Sequence, residues 1–127
     1  MIQDMKVSVR MIRRDMLTGD EEVLLETEGL LNGNRLLYRE SDTARQSVIF
    51  DEQIILQRNA DVSSKTVLTY GKEGTSTVIS EYGTMELKTR LLASHKSLQE
   101  WSVLYQVVSG SEIVLHQELV WQISMRN

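Results

Sequence analysis

The sequence predicts an all-β protein: a single antiparallel up-and-down β-barrel formed by residues 1–127 as one domain. Three observations predict it. Apolar and polar residues alternate with period two in many short segments, with turn residues spaced roughly every 8–12 positions. Every connection between those segments is short, which favours pairing between neighbours in sequence. The chain also has no proline. Proline commonly protects exposed sheet edges, so a strand-rich chain without it needs another device, and closing the sheet is one.

The first strand runs from Met5 to Met11, with Met5, Val7, Val9 and Met11 on one face and Lys6, Ser8 and Arg10 on the other. Arg13-Arg14-Asp15 to Thr18-Gly19-Asp20 is a polar connection. Glu21 to Leu30 is a second strand, with Val23, Leu25 and Thr27 opposed by glutamates; Thr27 and Gly29 argue against a helix there. Leu31-Asn32-Gly33-Asn34 is the strongest hairpin signal, because Asn-Gly suits the two positive-φ positions of a type I′ turn. It leads into Arg35–Glu40, with Leu36 and Tyr38 on one face, and Ser41-Asp42-Thr43 is the next turn.

Gln46–Phe50 and Gln53–Arg58 carry the apolar runs Val48-Ile49-Phe50 and Ile54-Ile55-Leu56, as expected of strands covered on both faces over part of their length. Ser63–Tyr70 is rich in β-favouring threonine, valine and tyrosine. Gly71-Lys72-Glu73-Gly74 is a tight loop, and Thr75–Tyr82 pairs back. After Gly83, the residues Met85, Leu87, Leu91 and Ala93 share a face with Thr89, while Glu86, Lys88, Arg90 and Leu92 share the other. Ser94-His95-Lys96-Ser97 breaks the alternation, and residues 91–100 have room for a short helical turn. Gln99–Val108 places Trp101, Val103, Tyr105 and Val107 on one face. Ser109-Gly110-Ser111 is a hairpin connection. In the last strand Ile113, Leu115, Leu119, Trp121, Ile123 and Met125 share a face interrupted by Gln117, and His116, Glu118, Gln122 and Ser124 occupy the other.

Composition narrows the function classes. With 41% hydrophobic and 25% charged residues the chain is expected to fold as an ordinary globular domain. It has no cysteine, which removes disulfides, thiolate metal sites and a cysteine nucleophile, and suits a reducing cytoplasm. The first residues, Met1 to Lys6, contain no apolar leader, and no run approaches the ~20 apolar residues of a spanning helix. A cytoplasmic protein without a membrane partner is the expectation. A formal charge of −4 argues against a general nucleic-acid binder. No nucleophile elbow, phosphate-binding glycine loop or dinucleotide fingerprint occurs. His95 and His116 are the only histidines, short of the three or four convergent ligands of a metal site. No metal, no other cofactor and no catalytic residue is therefore assigned.

With the meander laid out, Gly83-Thr84-Met85-Glu86-Leu87-Lys88-Thr89 resembles the Gly-x-Leu-Glu-Leu-Lys-Thr segment of the YwiB-like family of small bacterial proteins, with Met85 in place of leucine. Glu26-Thr27-Glu28-Gly29 is similar to that family's Thr-Thr-Gly segment, and the likeness spans nearly the whole chain. The resemblance implies a calycin-like barrel. It brings no activity and no catalytic residue.

The candidate binding residues are Glu86, Lys88, Arg90, Tyr105, His116, Glu118 and Trp121. Glu86, Lys88 and Arg90 lie about 7 Å apart along one strand face. In the lumen they would need a ligand or partner to offset their burial; outside, they form a solvated row. The opposite face is more apolar, which favours water for the charged row. His116 and Glu118 stand two apart on a polar strand face, a spacing that suits an acid–base pair and equally any solvated strand. Tyr105 and Trp121 lie on apolar faces, as core or as walls of a cavity. Arg10, Arg13, Arg14, Arg35 and Arg39 make a locally basic region. The expected function is a non-enzymatic barrel that holds a small amphipathic or apolar ligand in its mouth. The alternative is a solidly packed interaction module, working as a homodimer. An enzyme using Glu86, Lys88, Arg90 or His116 comes third.

Overall fold

Ten strands form one antiparallel meander that closes on itself. The computed structural model describes residues 4–126; Met1–Gln3, the beginning of the segment read as having no leader, and Asn127 lie outside the described residues. The strands are β1 (Met5–Asp15), β2 (Glu21–Asn32), β3 (Arg35–Ser41), β4 (Ala44–Phe50), β5 (Gln53–Asn59), β6 (Ser63–Thr69), β7 (Gly74–Ser80), β8 (Gly83–Lys96), β9 (Glu100–Ser109) and β10 (Glu112–Met125). Each pairs with the next, and β1 pairs with β10 from Val7↔Met125 to Asp15↔Gln117. Closure answers the missing prolines, since the outermost strands pair with each other.

The interior is built from the inward halves of the alternation. Val7, Val9, Leu36, Val48, Leu68, Val103, Trp101 and Trp121 are all but fully buried and pack as one cluster. The Phe50 and Trp101 rings meet at 5.5 Å with a 55° tilt, and the Lys96 ammonium lies 5.3 Å over the Trp101 ring. Lys96 also donates to the Asn34 side-chain oxygen Oδ1. This end of the barrel, where the β2–β3, β4–β5, β6–β7 and β8–β9 turns gather, is plugged by side chains.

Several local expectations are corrected by the structure. The β2–β3 turn has Gly33 and Asn34 as its two loop residues, with Asn32 paired to Arg35. Gly33 has φ +58°, and among the described residues no non-glycine has a positive φ. This fits a type II′ turn, which needs a positive φ at its first position only, and not the type I′ turn read from Asn-Gly. Ser94, His95 and Lys96 continue β8 as strand, which leaves no room for a helical turn at their positions.

Four bulges interrupt the register; one skips Glu40 in β3, and the other three shift apolar faces. In β2 the register skips Leu24, so Val23 lies opposite Ile12 on the outside while Leu25 faces in. Leu92 is skipped in β8, so Ala93 turns outward and Ser94 inward. Val114 is skipped in β10, which puts Ile113 outside and Leu115 inside. Each of these three falls within an unbroken apolar triplet, where alternation alone gives no warning of a slip. The supposed basic region also divides. Arg10, Arg13 and Arg14 pair with Glu26, Glu22 and Glu21, whereas Arg35 and Arg39 belong to the outer face of β3.

A pocket at the open mouth of the barrel

The opposite end is not plugged. At this end, where the β1–β2, β3–β4, β5–β6, β7–β8 and β9–β10 turns gather, residues of β1, β2, β4, β5, β6, β9 and β10 line a pocket of about 240 Å³. Its floor is apolar, formed by Met11, Val48, Leu56, Leu119 and the Trp121 ring. Polar groups converge from four strands above it: Gln46 of β4, Thr66 of β6, Tyr105 of β9 and Gln117 of β10. Arg13 and Arg58 stand at the rim, where Arg13 pairs with Glu22 and Arg58 Nε donates to Glu40 at 2.7 Å. One side of the mouth is incompletely sealed. β2 pairs with β3 only over Gly29–Asn32, so its first eight residues leave a gap beside the pocket, with Leu24 on its edge.

Two hydrogen-bonded relays fix the lining. Trp121 Nε1 donates to the Tyr38 hydroxyl at 2.8 Å, and Tyr38 donates to Gln46 Oε1 at 2.6 Å, with Met11 Sδ 3.4 Å away. Gln117 Nε2 donates to the Tyr105 hydroxyl at 2.7 Å. Thr66 and Ser76 share a hydrogen bond at 2.9 Å. Burial raises the pKa of both phenols: desolvation dominates at Tyr38, opposed by the bond from Trp121 and helped by Glu40, and at Tyr105, opposed by the bond from Gln117. Both are therefore neutral hydroxyls at any physiological pH. Among the described residues no buried side-chain N or O lacks a hydrogen-bond partner altogether. Capacity is nonetheless left over: among the described residues no hydrogen bond engages the Gln46 amide nitrogen, the Gln117 carbonyl or the Tyr105 hydroxyl proton, and the two amide atoms are not sealed from water.

The residues singled out from the sequence fall in two separate places. Tyr105 and Trp121 line the pocket. Glu86, Lys88 and Arg90 are exposed on the outer face of β8, so the lumen reading of that row does not hold. His116 and Glu118 are also on the outside. His116 lies in register with Gln106, as does Arg90, and Glu118 accepts a hydrogen bond from Arg14 at 2.6 Å. That bond and one to Glu21 raise the Arg14 pKa further. None of these five reaches the pocket, and the β-barrel wall separates them from Tyr105 and Trp121. Among the described residues no three His, Asp or Glu side chains group closely enough to hold a metal ion.

A wider trough of about 1340 Å³ runs over the outer faces of β2, β1 and β10, bounded by residues 97–99. Its Arg10 and Arg126 are already paired with Glu26 and Glu28. It is a valley between surface ion pairs, not a receptacle.

Gln46, Thr66, Gln117, Arg13 and Arg58 were missed as site residues. One signal was present: Gln117 interrupts an otherwise apolar inward row, and a buried polar group in such a row needs partners.

The architecture is thus that of a closed ten-stranded up-and-down barrel with one plugged end and one end holding a polar-walled pocket. A structure of this class is the crystal structure of the ywiB protein from Bacillus subtilis, with a TM-score of 0.69 at 16% identity, covering 99% of this chain and 94% of that one. At that identity the likeness establishes the fold, and to that extent it supports the resemblance to the YwiB-like family. No protein-family model matches the sequence, and no curated protein matches it. Among the described residues no helix is long and apolar enough to cross a membrane.

Proposed function

We propose that this chain is a non-enzymatic, calycin-like binding protein of the cytoplasm that holds one small amphipathic ligand in the mouth of its barrel. The observation that carries this reading is the pocket itself: an apolar floor, convergent polar groups on rigid strands and a solid core beneath, the usual composition of a small-molecule site. Its size sets the scale of the ligand. At about 30 Å³ per water, it corresponds to about eight waters, room for a ring-sized molecule and not for a long lipid. The calycin grouping rests on shape, since lipocalins have eight strands and this barrel has ten. The absence of cysteine supports the cytoplasmic assignment.

Native mass spectrometry of protein purified from its own host tests the reading. A retained small molecule that is absent from the variant Ser64→Phe, which fills the mouth, is the expected result. Bare chain mass for the wild type, with no thermal stabilisation by a library of ring-sized compounds, contradicts it.

A second reading, a homodimer, is favoured by one observation. The part of β2 from Glu21 to Glu28 has no partner on its β3 side, and Val23 and Leu24 there are 45% and 41% exposed. An open edge with apolar neighbours is a template for pairing with the same strand of a second copy. Light scattering at micromolar concentration is expected to give twice the chain mass for the wild type and the chain mass for Leu24→Lys. A wild-type monomer contradicts this reading and leaves the first untouched.

A further inference from the structure

We infer that the mouth pocket selects a neutral, planar, ring-sized ligand bearing an adjacent donor and acceptor, that is, a cyclic amide or a nucleobase-like heterocycle; this rests on the binding function proposed above. The inference comes from what the lining leaves unsatisfied.

Two carboxamides, Gln46 and Gln117, reach the pocket from different strands, and each spends one of its two polar groups on a tyrosine. Tyr38 takes the Gln46 carbonyl, which leaves the Gln46 NH2 as a free donor. Gln117 gives its NH2 to Tyr105, which leaves a free carbonyl acceptor and the Tyr105 hydroxyl proton. With the Gln117 NH2 on the Tyr105 hydroxyl, the free groups are the Gln46 NH2 and the Tyr105 proton as donors and the Gln117 carbonyl as acceptor. The pocket thus offers donors and an acceptor together, held by relays that fix their directions. The rings of Tyr105 and Trp121 both line the pocket.

Other classes of ligand fit worse. An alkyl chain would strip water from these polar groups without satisfying them, and each group left unpaired weakens binding. A carboxylate or phosphate would want the two rim arginines, but Arg13 and Arg58 are neutralised by Glu22 and Glu40. A cation would find no acidic residue in the lining. A flat molecule with an amide-like edge meets both carboxamides with paired hydrogen bonds, the complementarity by which glutamine reads a base edge. The Tyr105 phenol stays neutral, so it recognises such an edge by hydrogen bonding and not by charge.

Calorimetric titration of the full chain with uracil, adenine and nicotinamide, against benzoate, hexanoate and toluene, tests this. The expected result is saturable binding of at least one of the first three, weakened at least about tenfold by Gln117→Leu and abolished by Ser64→Phe, with none by the last three. Gln117→Leu is read only after circular dichroism shows the wild-type spectrum; if it does not fold, loss of binding in Ser64→Phe carries the comparison. Binding confined to benzoate, hexanoate or toluene overturns the ligand class and leaves a binding barrel standing. Binding of uracil, adenine or nicotinamide that survives in Ser64→Phe places it elsewhere and also overturns the inference. No binding by any of the six overturns the ligand class; a host-derived adduct in the mass spectrum then preserves the broader function, and the lack of one removes both.

Discussion

Thr89 shows how much one side chain can hold. It is fully buried, and its hydroxyl donates to the Val67 carbonyl at 2.7 Å, joining β8 to β6. Gly74 makes the contact possible: a Cβ there would lie 2.0 Å from the Val67 oxygen and 2.6 Å from Thr89 Oγ1. Thr89→Val keeps the volume and removes the donor, so it is expected to cost about 1–3 kcal/mol in urea unfolding with an unchanged slope. An unaltered midpoint would show that the hydroxyl contributes nothing. Gly74→Ala must push β6 and β8 apart, and is expected to cost at least as much as Thr89→Val. Alternation placed Thr89 on the apolar face, but its reason was not legible there, because its partner belongs to a strand two elements earlier. Tyr38 and Tyr105 carry a pH prediction. Tyrosine ionises at about pH 10 in the unfolded chain, whereas burial raises both in the fold. Their contribution is therefore complete below about pH 10 and is lost as pH rises beyond it. The melting temperature should fall steeply above about pH 10, with tyrosinate absorbance rising at the same transition; a flat profile there contradicts the burial of these phenols.

At the scale of the element, the bulges decide which apolar residues are core. Leu24, Leu92 and Val114 are the skipped residues of Val23-Leu24-Leu25, Leu91-Leu92-Ala93 and Ile113-Val114-Leu115, and each is between 41% and 46% exposed. Replacing Leu92 or Val114 by lysine is expected to change stability by no more than about 0.5 kcal/mol. Truncating the neighbouring Leu91 or Leu115, packed against the core, to alanine should cost about 2–5 kcal/mol. Equal costs within either pair of neighbours would mean that the face assignment is wrong. The strands themselves were legible, because period two is a local property. The bulges were not, because a slip within three consecutive apolar residues changes no local pattern; only the partner strand fixes which one is left out. Gly33 taught the same lesson, since the turn took Gly33-Asn34 and not Asn32-Gly33 as its loop.

For the molecule as a whole, asymmetry between the two barrel ends is the organising fact. Trp101, Phe50 and Lys96 close one end, and the relays of Tyr38 and Tyr105 keep the other open around a polar-walled pocket. Barrel closure was legible from the short connections and the missing prolines, but the pocket was only half so. Tyr105 and Trp121 could be placed on the inner face, whereas Gln46, Arg13 and Arg58 become neighbours only through the register of β1, β4 and β5. Glu86, Lys88 and Arg90 drew notice because they form a neat charged row, which is also what a solvated outer face looks like. The claim that the mouth pocket is the binding site is tested most directly by the two indole N–H resonances in a ¹H–¹⁵N spectrum, recorded as a small-molecule extract of the host is added. Trp121 bonds the Tyr38 hydroxyl beside the pocket, and Trp101 packs against Phe50. The Trp121 indole signal is expected to shift saturably while that of Trp101 shifts much less, and neither is expected to move in Ser64→Phe. An unmoved Trp121 signal, or the same shift in Ser64→Phe, would contradict that claim.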